Sequence, residues 1–404
     1  STRMTAARTM TTHPLRRLLD TRERLVAGVM SGTSLDGIDA VVARLAGSGP
    51  GMTIEVRGAA HRGFDSDLLA LLRANVEDTT SSAKALAQLG VVLAHCYADV
   101  IADACEAAAV PVANLDLVGV PGQTVQHVPQ AEHIAGQDGV RATLQIGSGP
   151  TLATLLGVPV VHDFRAADLA LGGEGAPLVP YLDLVRFAHP AEARLLLNLG
   201  GIANMTVLPP GATADTLAAF DSGPANILID ALAQRFYDTP CDLDGQHAAA
   251  GIVNGALLDR LLGDAYFAQP PPKSTGREHF GAAFLDWHFL STALRPDDLL
   301  ATATTLTART VHEAYARFVA PEQPVDVVIA AGGGVRNPTL MQQLRDAFAP
   351  IPIHTTADCG VEPDLKEALC FAVLAHEYVN GTPTSLPRVT GADRPALLGS
   401  LALT

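Results

Sequence analysis

The fold of this chain is decided by the stretch Val26-Ala27-Gly28-Val29-Met30-Ser31-Gly32-Thr33-Ser34-Leu35-Asp36-Gly37-Ile38-Asp39-Ala40-Val41-Val42. Its apolar start predicts a buried strand, and its apolar end begins a second strand. Glycine lets a backbone approach a ligand closely, and successive amide groups in such a turn can surround an anion. The stretch therefore predicts a strand–turn–strand phosphate site, although an ordinary glycine-rich hairpin has the same pattern.

Composition limits the possible partners of the chain. Its 404 residues are enough for two domains, and 48% apolar with 17% charged residues is typical of a well-buried globular protein. A net charge of −15 argues against nucleic acid as a partner. No apolar run reaches the roughly 18 residues that cross a bilayer, so no membrane partner is expected. Because the chain is acidic, any bound polyphosphate would depend on backbone amides and a metal ion.

Neither the start of the chain nor its cysteines indicate secretion. The first twenty residues lack the apolar segment of a signal peptide, and we expect a loose extension there. An odd number of cysteines without CxxC spacing predicts buried, reduced thiols in a cytoplasmic protein. These cysteines are Cys96, Cys105, Cys241, Cys359 and Cys370.

The opening pattern occurs a second time near the middle of the chain. Arg194–Leu208 is again an apolar strand, a Gly-Gly turn and an apolar strand. A third strand, Val325–Ala331, runs into Gly332–Pro338, and an amphipathic helix over Leu340–Ala349 follows. The two similar turns predict a duplicated α/β architecture, with two domains facing each other across a cleft and one turn from each. The third turn suits a nucleoside at the carboxyl end of a strand.

Further apolar runs complete the predicted domain organisation. Leu68–Ala109 and Leu365–Tyr378 have helical spacing, whereas Leu115–Val120 and Val158–Phe164 are typical of buried strands. We expect an extension over residues 1–23, a first α/β domain over 24–180 and a second over 181–375. Residues 376–404 are a candidate to return to the first domain.

These turns together resemble the superfamily of sugar kinases, actin and heat-shock chaperones, and within it the 1,6-anhydro-N-acetylmuramic acid kinase family. The resemblance implies a two-domain, ribonuclease H-like (actin-like ATPase) α/β fold. The segments that carry it are GVMSGTSLDGID from Gly28, GQT from Gly122, TLQIG from Thr143, DFRAADLALGGEGAPLVP from Asp163, LNLGGIAN from Leu197, FDSGPAN from Phe220, PKSTGREHF from Pro272, GGGVRNP from Gly332, KEALCFAVLA from Lys366 and VTGA from Val389.

The resemblance also implies an activity. Enzymes of this family use ATP and Mg²⁺ to open the 1,6-anhydro ring of the sugar with water and to phosphorylate O6. The product is N-acetylmuramic acid 6-phosphate, formed during peptidoglycan recycling. A small anhydro amino sugar as substrate, a homodimer and a cytoplasmic location are implied in the same way.

Site residues are carried over from the family by position. Asp221 matches the catalytic base, although Asp at such a position also commonly caps a helix. Asp36 and Asp39 are candidates to hold a metal ion through water. The implied ATP-binding residues are Gly32, Thr33, Ser34, Leu35, Asp36, Gly37, Ile38, Asp39, Gly200, Gly201, Asn204, Gly332, Gly333, Gly334 and Asn337. The implied substrate-binding residues are Gln123, Thr124, Asp163, Asp168, Gly223, Pro224 and Glu367.

Several of these assignments have structural alternatives. Asp163 or Asp168 could form a salt bridge with Arg165 or lie in a solvated loop, and Glu367 could be exposed on a helix. The segment Lys273–Arg277 could contact phosphate, hold a dimer together or form a helix capping box. Each alternative predicts a different environment for the side chain, so the structure can separate them.

The chain departs from the family pattern near the sugar-binding residues. Pro121 stands where the family commonly has His, and Ser148-Gly149-Pro150 also differs from the usual residues. Glu174 replaces the usual Gln, and Ala225 replaces a Gly. These changes leave two alternatives open: a kinase for another 1,6-anhydrosugar such as levoglucosan, or a catalytically silent nucleotide-binding regulator.

Overall fold

The computed structural model describes residues 13–32, 35, 37–76 and 81–404. The chain forms two compact units. Unit 1 consists of Ser1–Gly175, Glu367–Ser385 and Asp393–Thr404, and unit 2 of Ala176–Lys366 and Leu386–Ala392. Part of the segment expected to be a loose extension is instead helical, because a helix occupies Pro14–Asp20.

The strands of the described residues are numbered in chain order. They are β1 (Glu23–Ser31), β2 (Ile38–Ala46), β3 (Thr53–Arg62), β4 (Leu117–Gly119), β5 (Gln123–Ile134), β6 (Gln137–Ile146), β7 (Val160–His162), β8 (Arg194–Leu199), β9 (Ile202–Leu208), β10 (Ala218–Pro224), β11 (Val327–Ala331), β12 (Ile353–Thr355) and β13 (Ser400–Ala402). The predicted strands around both glycine-rich turns are therefore present.

The α-helices are numbered in the same way. They are α1 (Pro14–Asp20), α2 (Ser66–Val76), α3 (Ala83–Ala107), α4 (Gly149–Leu156), α5 (Ala166–Ala170), α6 (Val179–Phe187), α7 (Asn226–Tyr237), α8 (Gln246–Ala250), α9 (Gly255–Leu262), α10 (Ala265–Ala268), α11 (Arg277–Phe280), α12 (Ala282–Leu285), α13 (Pro296–Ala314), α14 (Pro338–Phe348), α15 (Lys366–Asn380) and α16 (Pro387–Thr390). The helices predicted after β3, after β11 and near the C-terminus are confirmed.

Both units contain a sheet with the same core strand order. In unit 1 the order is β13-β7-β4-β1-β2-β3, and in unit 2 it is β10-β9-β8-β11-β12. In each sheet the first three strands form an antiparallel meander. A fourth strand pairs in parallel with the first strand, and a fifth pairs in parallel with the fourth. This repeated arrangement confirms the predicted ribonuclease H-like α/β fold with duplicated sheets. The sequence did not predict the separate β5–β6 hairpin.

Helix α3 is a core helix of unit 1. Leu93, Tyr97 and Ile101 on one face are buried in the unit 1 core. By length and composition alone, this helix could cross a membrane, although it contains no uninterrupted apolar run of about 18 residues. Its buried face explains the apolar composition through packing against the sheet.

Helix α15 approaches the unit 1 sheet at backbone distance. A Cβ atom added to Gly28 of β1 would lie 2.0 Å from the carbonyl oxygen of Ala368. A Cβ atom added to Gly119 of β4 would lie 2.1 Å from the carbonyl oxygen of Phe371. Glycine at these two strand positions therefore permits the helix to lie directly on the strands.

The cysteine prediction is only partly right. All five cysteines are free thiols, but burial differs among them. Cys105 and Cys370 are buried, Cys96 and Cys359 are partly buried, and Cys241 is exposed. Burial raises the pKa of Cys105, which favours the neutral thiol.

Candidate active site

The first glycine-rich turn joins β1 to β2. The amide of Leu35 donates to the carbonyl oxygen of Gly32 at 3.2 Å, and Leu35 has a φ of +57° although it is not glycine. A Cβ atom on Gly37 would lie 2.5 Å from the carbonyl oxygen of Arg62. The turn is therefore tight, and glycine is required at its end. Thr33, Ser34 and Asp36 lie outside the described residues.

Gln123 supports this turn from the start of β5. Its side chain is fully buried, and Nε2 donates to the carbonyl oxygen of Gly32 at 3.2 Å. Its Oε1 atom has no hydrogen-bond partner in the described part of the chain. Beside it, the hydroxyls of Ser31 and Tyr97 are 2.9 Å apart. Thr124 accepts a hydrogen bond of 3.4 Å from Gln145 Nε2.

Asp39 follows the turn in β2, and Ile38 before it is buried. One carboxylate oxygen of Asp39 lies 2.8 Å from Nδ1 of His61 on β3. Carboxylate oxygens suit Mg²⁺, which commonly retains water in its coordination shell. Among the described residues, no three His, Cys, Asp or Glu side chains form a direct metal-binding group. One carboxylate oxygen of Asp39 is therefore engaged by His61.

Acidic residues follow β7 in unit 1. Asp163 has a φ of +56°, and Asp168 is fully buried. The Oδ2 atom of Asp168 accepts from the amide of Gly175 at 2.8 Å, which fastens the glycine-rich loop. Arg165 forms no ion pair within 4.0 Å in the described part of the chain, so the alternative of a salt bridge from Asp163 or Asp168 is wrong.

Glu367 lies in the first turn of α15. Its side chain is partly buried rather than exposed, which overturns the simpler alternative for this residue. Its charge raises the pKa of Arg165, whereas burial has the larger effect and lowers it. The charges of Glu367 and Arg165 are therefore close enough to interact within unit 1.

The second glycine-rich turn joins β8 to β9 in unit 2. The carbonyl oxygen of Gly200 accepts from the amide of Asn226 at 3.0 Å, and that of Gly201 accepts from the amide of Ala225 at 2.8 Å. The side chain of Asn226 also donates to the carbonyl oxygen of Leu199 at 3.0 Å. The turn is thus fastened to the start of α7 through its carbonyl groups.

The third turn lies against the second. A Cβ atom on Gly332, whose φ is +82°, would lie 2.8 Å from the carbonyl carbon of Leu199. A Cβ atom on Gly334 would lie 2.6 Å from Leu199 Cβ, and one on Gly333 would be 3.8 Å from Asn226 Nδ2. The structure therefore brings these two predicted ATP-binding turns together within unit 2.

Asn337 has a structural role at the end of the third turn. Its side-chain oxygen accepts from the amide of Leu340 at 3.0 Å and caps α14. That oxygen would be only 2.1 Å from a Cβ atom on Gly245. The cap confirms the predicted helix start and gives Asn337 a function that does not require ATP.

Asp221 lies in β10 opposite Asn204 of β9, beside a break in strand register. Its Oδ2 atom accepts from the amide of Thr275 at 3.0 Å, and α7 has Ala225 at its N-cap with no side-chain cap, so Asp221 does not cap it. Its backbone is held as well: its amide donates to the carbonyl oxygen of Lys273 at 3.1 Å, and its carbonyl oxygen accepts from the Tyr266 hydroxyl at 2.8 Å. Burial raises the pKa of Tyr266, which keeps that hydroxyl protonated.

The rest of the Asp221 segment is tightly packed. The Ser222 hydroxyl donates to the carbonyl oxygen of Ala203 at 3.1 Å. A Cβ atom on Gly223 would lie 2.7 Å from the Phe267 ring, and the carbonyl oxygen of Pro224 accepts from Thr307 Oγ1 at 3.1 Å. Gly223 and Pro224 therefore define the backbone path that follows Asp221.

The segment beginning at Lys273 supports Asp221 and is not a capping box. Helix α11 has Gly276 at its N-cap and no side-chain cap, so the capping alternative for Ser274 is wrong. The ammonium of Lys273 lies 4.6 Å from the Tyr266 ring centre. Burial and the charge of Arg317 lower the pKa of Lys273 to about 8, whereas Asp221 opposes that change.

Sequence reasoning missed the polar residues of the β5–β6 hairpin. His127 Nδ1 lies 3.1 Å from Thr143 Oγ1, which also accepts from Gln145 Nε2 at 2.6 Å. The alternation of polar and apolar residues after GQT and before QIG was the sequence signal that could have predicted this pair of strands. Without a glycine-rich turn motif of known function, that signal did not indicate a site.

The departures from the family pattern have defined surroundings. Ser148 caps α4 by accepting from the amide of Thr151 at 3.2 Å. Pro121 and Ala225 are buried. The backbone of Glu174 hydrogen-bonds the His127 ring and raises its pKa, although burial lowers that pKa more strongly. Ser148 thus has a structural role through its side chain, whereas the contact of Glu174 is made by its backbone.

Comparison with known proteins identifies the relatives of the chain. The family model for anhydro-N-acetylmuramic acid kinase matches residues 24–404. A protein of that name from Salinibacter ruber is 55% identical over 384 residues, covering 94% of this chain and 96% of its own length. Another from Caldanaerobacter subterraneus is 38% identical over 395 residues, covering 96% and 99% of the two chains.

Proposed function

The chain belongs to the anhydro-N-acetylmuramic acid kinase family, and we propose that it opens the 1,6-anhydro ring of anhydro-N-acetylmuramic acid and phosphorylates O6 with ATP. The product of this reaction is N-acetylmuramic acid 6-phosphate, and its place is the recycling of peptidoglycan. The observation that carries the proposal is the environment of Asp221, which occupies the family's position for the catalytic base.

The geometry around Asp221 suits a general base. Its Oδ2 atom accepts from the amide of Thr275, and its backbone is held on both sides by Lys273 and Tyr266. A carboxylate oriented by its neighbours can accept a proton without first reorganising. Asp221 therefore supplies a fixed acceptor for the proton of an attacking water.

The proposed reaction joins hydrolysis to phosphoryl transfer. Water forms a bond to C1 of the sugar as Asp221 takes one of its protons. The bond between C1 and O6 breaks, and its electron pair stays on O6. That oxygen then forms a bond to the γ-phosphorus of ATP as the bond to the β-phosphate oxygen breaks, and ADP leaves.

The glycine-rich turns support the nucleotide part of the proposal. In each unit a turn follows the first strand of the sheet, and the third turn packs on the second at Leu199. We assign phosphate contacts to the turns that begin at Gly32 and Gly200, and adenosine contacts to Gly332–Gly334. Mg²⁺ bound to the phosphates, with Asp39 and Asp36 reaching its waters, would neutralise charge on the transferred group.

The substrate part of the proposal concerns unit 1. The Oε1 atom of buried Gln123, which has no hydrogen-bond partner among the described residues, is an acceptor that suits a sugar hydroxyl. Thr124, Asp163, Asp168 and Glu367 follow from the family positions and remain proposals, as do Gly223 and Pro224 of unit 2. A homodimer and a cytoplasmic location also remain predictions.

Release of ADP from ATP tests the proposed function directly. The purified chain with Mg²⁺ should release ADP with 1,6-anhydro-N-acetylmuramic acid, and the sugar product should carry phosphate on O6. Faster turnover of levoglucosan would favour the alternative of a different anhydrosugar kinase. No turnover with either sugar, together with retained ATP binding, would favour a silent regulator.

A further inference from the structure

The acidic character of the proposed sugar-binding residues raises a problem of charge. Asp163, Asp168 and Glu367 all lie in unit 1, and the chain as a whole carries a net charge of −15. The muramic acid substrate of the proposed function carries its own carboxylate, on a lactyl ether. Like charges repel, so binding this substrate requires a nearby cation that the proposed set of residues does not include.

Arg165 is a cation in the required region. It lies between Asp163 and Asp168 in the sequence and directly precedes α5, whose Leu169 amide donates to the Arg165 carbonyl oxygen at 3.1 Å. A Cβ atom on Gly175 would lie 3.2 Å from Arg165 Cβ, so the glycine-rich loop passes against this side chain. The backbone of α5 and that of the glycine-rich loop therefore fix the position of the Arg165 Cβ atom.

The guanidinium of Arg165 has unused hydrogen-bonding capacity. Within residues 13–32, 35, 37–76 and 81–404, it donates no hydrogen bond and forms no ion pair within 4.0 Å. The side chain is partly buried, and burial lowers its pKa despite the opposing charge of Glu367. A guanidinium that loses water without gaining hydrogen bonds is costly, and a bound carboxylate would remove that cost.

His127 organises the surroundings of this guanidinium. Its ring contacts Thr143 on β6 and the backbone of Glu174, and it therefore ties the hairpin to the glycine-rich loop beside Arg165. Burial and the nearby charge of Arg165 lower the pKa of His127, so its ring stays neutral near pH 7.

We propose that Arg165 binds the lactyl carboxylate of the substrate and that His127 positions the hairpin and loop around it. This inference rests on the proposed function, because it assigns the substrate's acidic group to a residue of the same site. Arginine suits this role because its planar donors can bind both oxygens of a carboxylate. Arg165 would then make the enzyme prefer acidic anhydrosugars over neutral ones.

Binding measurements with two related sugars test the proposal. One ligand is 1,6-anhydro-N-acetylmuramic acid, and the other is 1,6-anhydro-N-acetylglucosamine, which lacks the lactyl group. Calorimetric titration gives the dissociation constants of both for the wild-type chain, Arg165→Gln and Arg165→Lys. Arg57→Gln is the matched control, because Arg57 is an exposed unit 1 arginine that pairs with Glu55.

We expect Arg165→Gln to weaken binding of the acidic sugar by about 10- to 100-fold, as is typical for loss of a charge-assisted hydrogen bond. Binding of the neutral sugar should change by less than about threefold, and Arg165→Lys should weaken the acidic sugar less than Arg165→Gln does. His127→Asn should act in the same direction as Arg165→Gln but more weakly. Arg57→Gln should leave both dissociation constants unchanged.

Other outcomes would overturn the inference. Equal weakening for the two sugars would give Arg165 a general structural role, and unchanged binding of the acidic sugar would remove it from the site. If the neutral sugar binds too weakly to titrate, the methyl ester of the acidic sugar replaces it. If the wild-type chain neither turns over nor binds the acidic sugar, the proposed function itself is contradicted. This result differs from a failure of the Arg165 assignment alone, in which the wild-type chain still binds that sugar.

Discussion

The sheets of units 1 and 2 have the same core strand order but differ beside their glycine-rich turns. In unit 1 the carboxylate next to the turn is Asp39 on the second strand, which contacts His61 on the third. In unit 2 Asn204 occupies the second strand, and the carboxylate of Asp221 is on the third. Strand order alone therefore does not determine which unit presents the carboxylate proposed as the base.

The strand register near the turn explains part of this difference. In unit 2 the register shifts between Asp221 and Gly223, next to the turn. In unit 1 the irregularity between the second and third strands lies at Val42 and Ala43, further along the ladder. A bulge redirects the side chains next to it, so the unit 2 sheet can present Asp221 differently from its neighbours.

Each unit has a tight contact in its interior. In unit 1 the glycines at positions 28 and 119 let α15 touch the strands. In unit 2 the ammonium of Lys366 lies 2.6 Å from Asp183 Oδ1, and both side chains are only 3% exposed. Asp183 Oδ2 also accepts from Thr206 Oγ1 at 2.9 Å. Close backbone packing at Gly28 in unit 1 and the buried ion pair at Lys366 in unit 2 are therefore two contacts whose contributions can be measured separately.

Replacing the unit 2 carboxylate should have the largest effect. Asp221→Asn keeps the size of the side chain but removes the base, and loss of a general base costs about 10²–10⁴-fold in rate. We expect kcat for ADP release to fall by that factor while ATP binding changes little. The control is Asp259→Asn, at an exposed position on α9. Retention of more than about a tenth of wild-type turnover would show that another residue is the base.

Removing one partner of the buried ion pair should have the next largest effect. Lys366→Met leaves Asp183 buried without its cation, and such a change costs about 3–5 kcal/mol. We expect urea unfolding to show this loss, and the double variant Lys366→Met with Asp183→Leu to recover much of it. The comparison pair is Arg309 and Glu313, which are exposed on α13. If removing one partner lowers the free energy of unfolding by a similarly small amount at the buried and the exposed pair, burial does not make the ion pair important.

Overpacking β1 should have a smaller but clear effect. A methyl group at Gly28 would overlap the Ala368 carbonyl oxygen, so α15 would have to move. Overpacking of this kind typically costs about 1–3 kcal/mol of unfolding free energy. Gly255→Ala is the matched control, because no atom lies within 4 Å of an added Cβ there. Equal midpoints in urea for the two variants would refute the close-packing argument.

Much of the fold followed from the sequence because its signals are local. The apolar runs around Gly32, Gly200 and Gly332 predicted strands and turns, and Asn337-Pro338 predicted a helix start that the structure confirms. The support of Asp221 by Thr275 could not be predicted in this way. These two residues are 54 positions apart, and only the tertiary fold brings them together.

The missed arginine has a similar explanation. Arg165 lies in a segment that resembles the family, yet its surroundings include His127 on a hairpin that the sequence did not predict. Whether a guanidinium forms a salt bridge depends on distances that residue spacing does not provide. Sequence spacing suggested a partner at Asp163 or Asp168, and the folded chain has no such ion pair within 4.0 Å among the described residues.

The smallest expected effect is a pH dependence of unit 1 stability. His376 on α15 is fully buried, with Nδ1 3.2 Å from Arg24 and Nε2 3.0 Å from the carbonyl oxygen of Gly47. Burial and the charge of Arg24 lower its pKa, whereas the Gly47 contact and Glu377 oppose that change. The folded chain therefore favours the neutral ring.

The sign of the effect follows from this lowered pKa. Above about pH 6.5, His376 is neutral in both states and adds no slope. As the pH falls below that value, the unfolded chain binds a proton that the folded chain resists, so the free energy of unfolding decreases by at most about 1.4 kcal/mol per pH unit for this group. His376→Gln should have a shallower decrease between about pH 6.5 and 5 than the wild type, measured by urea unfolding. The same change at exposed His95 is the control, and parallel curves for wild type and His376→Gln would show that other groups cause the acid sensitivity.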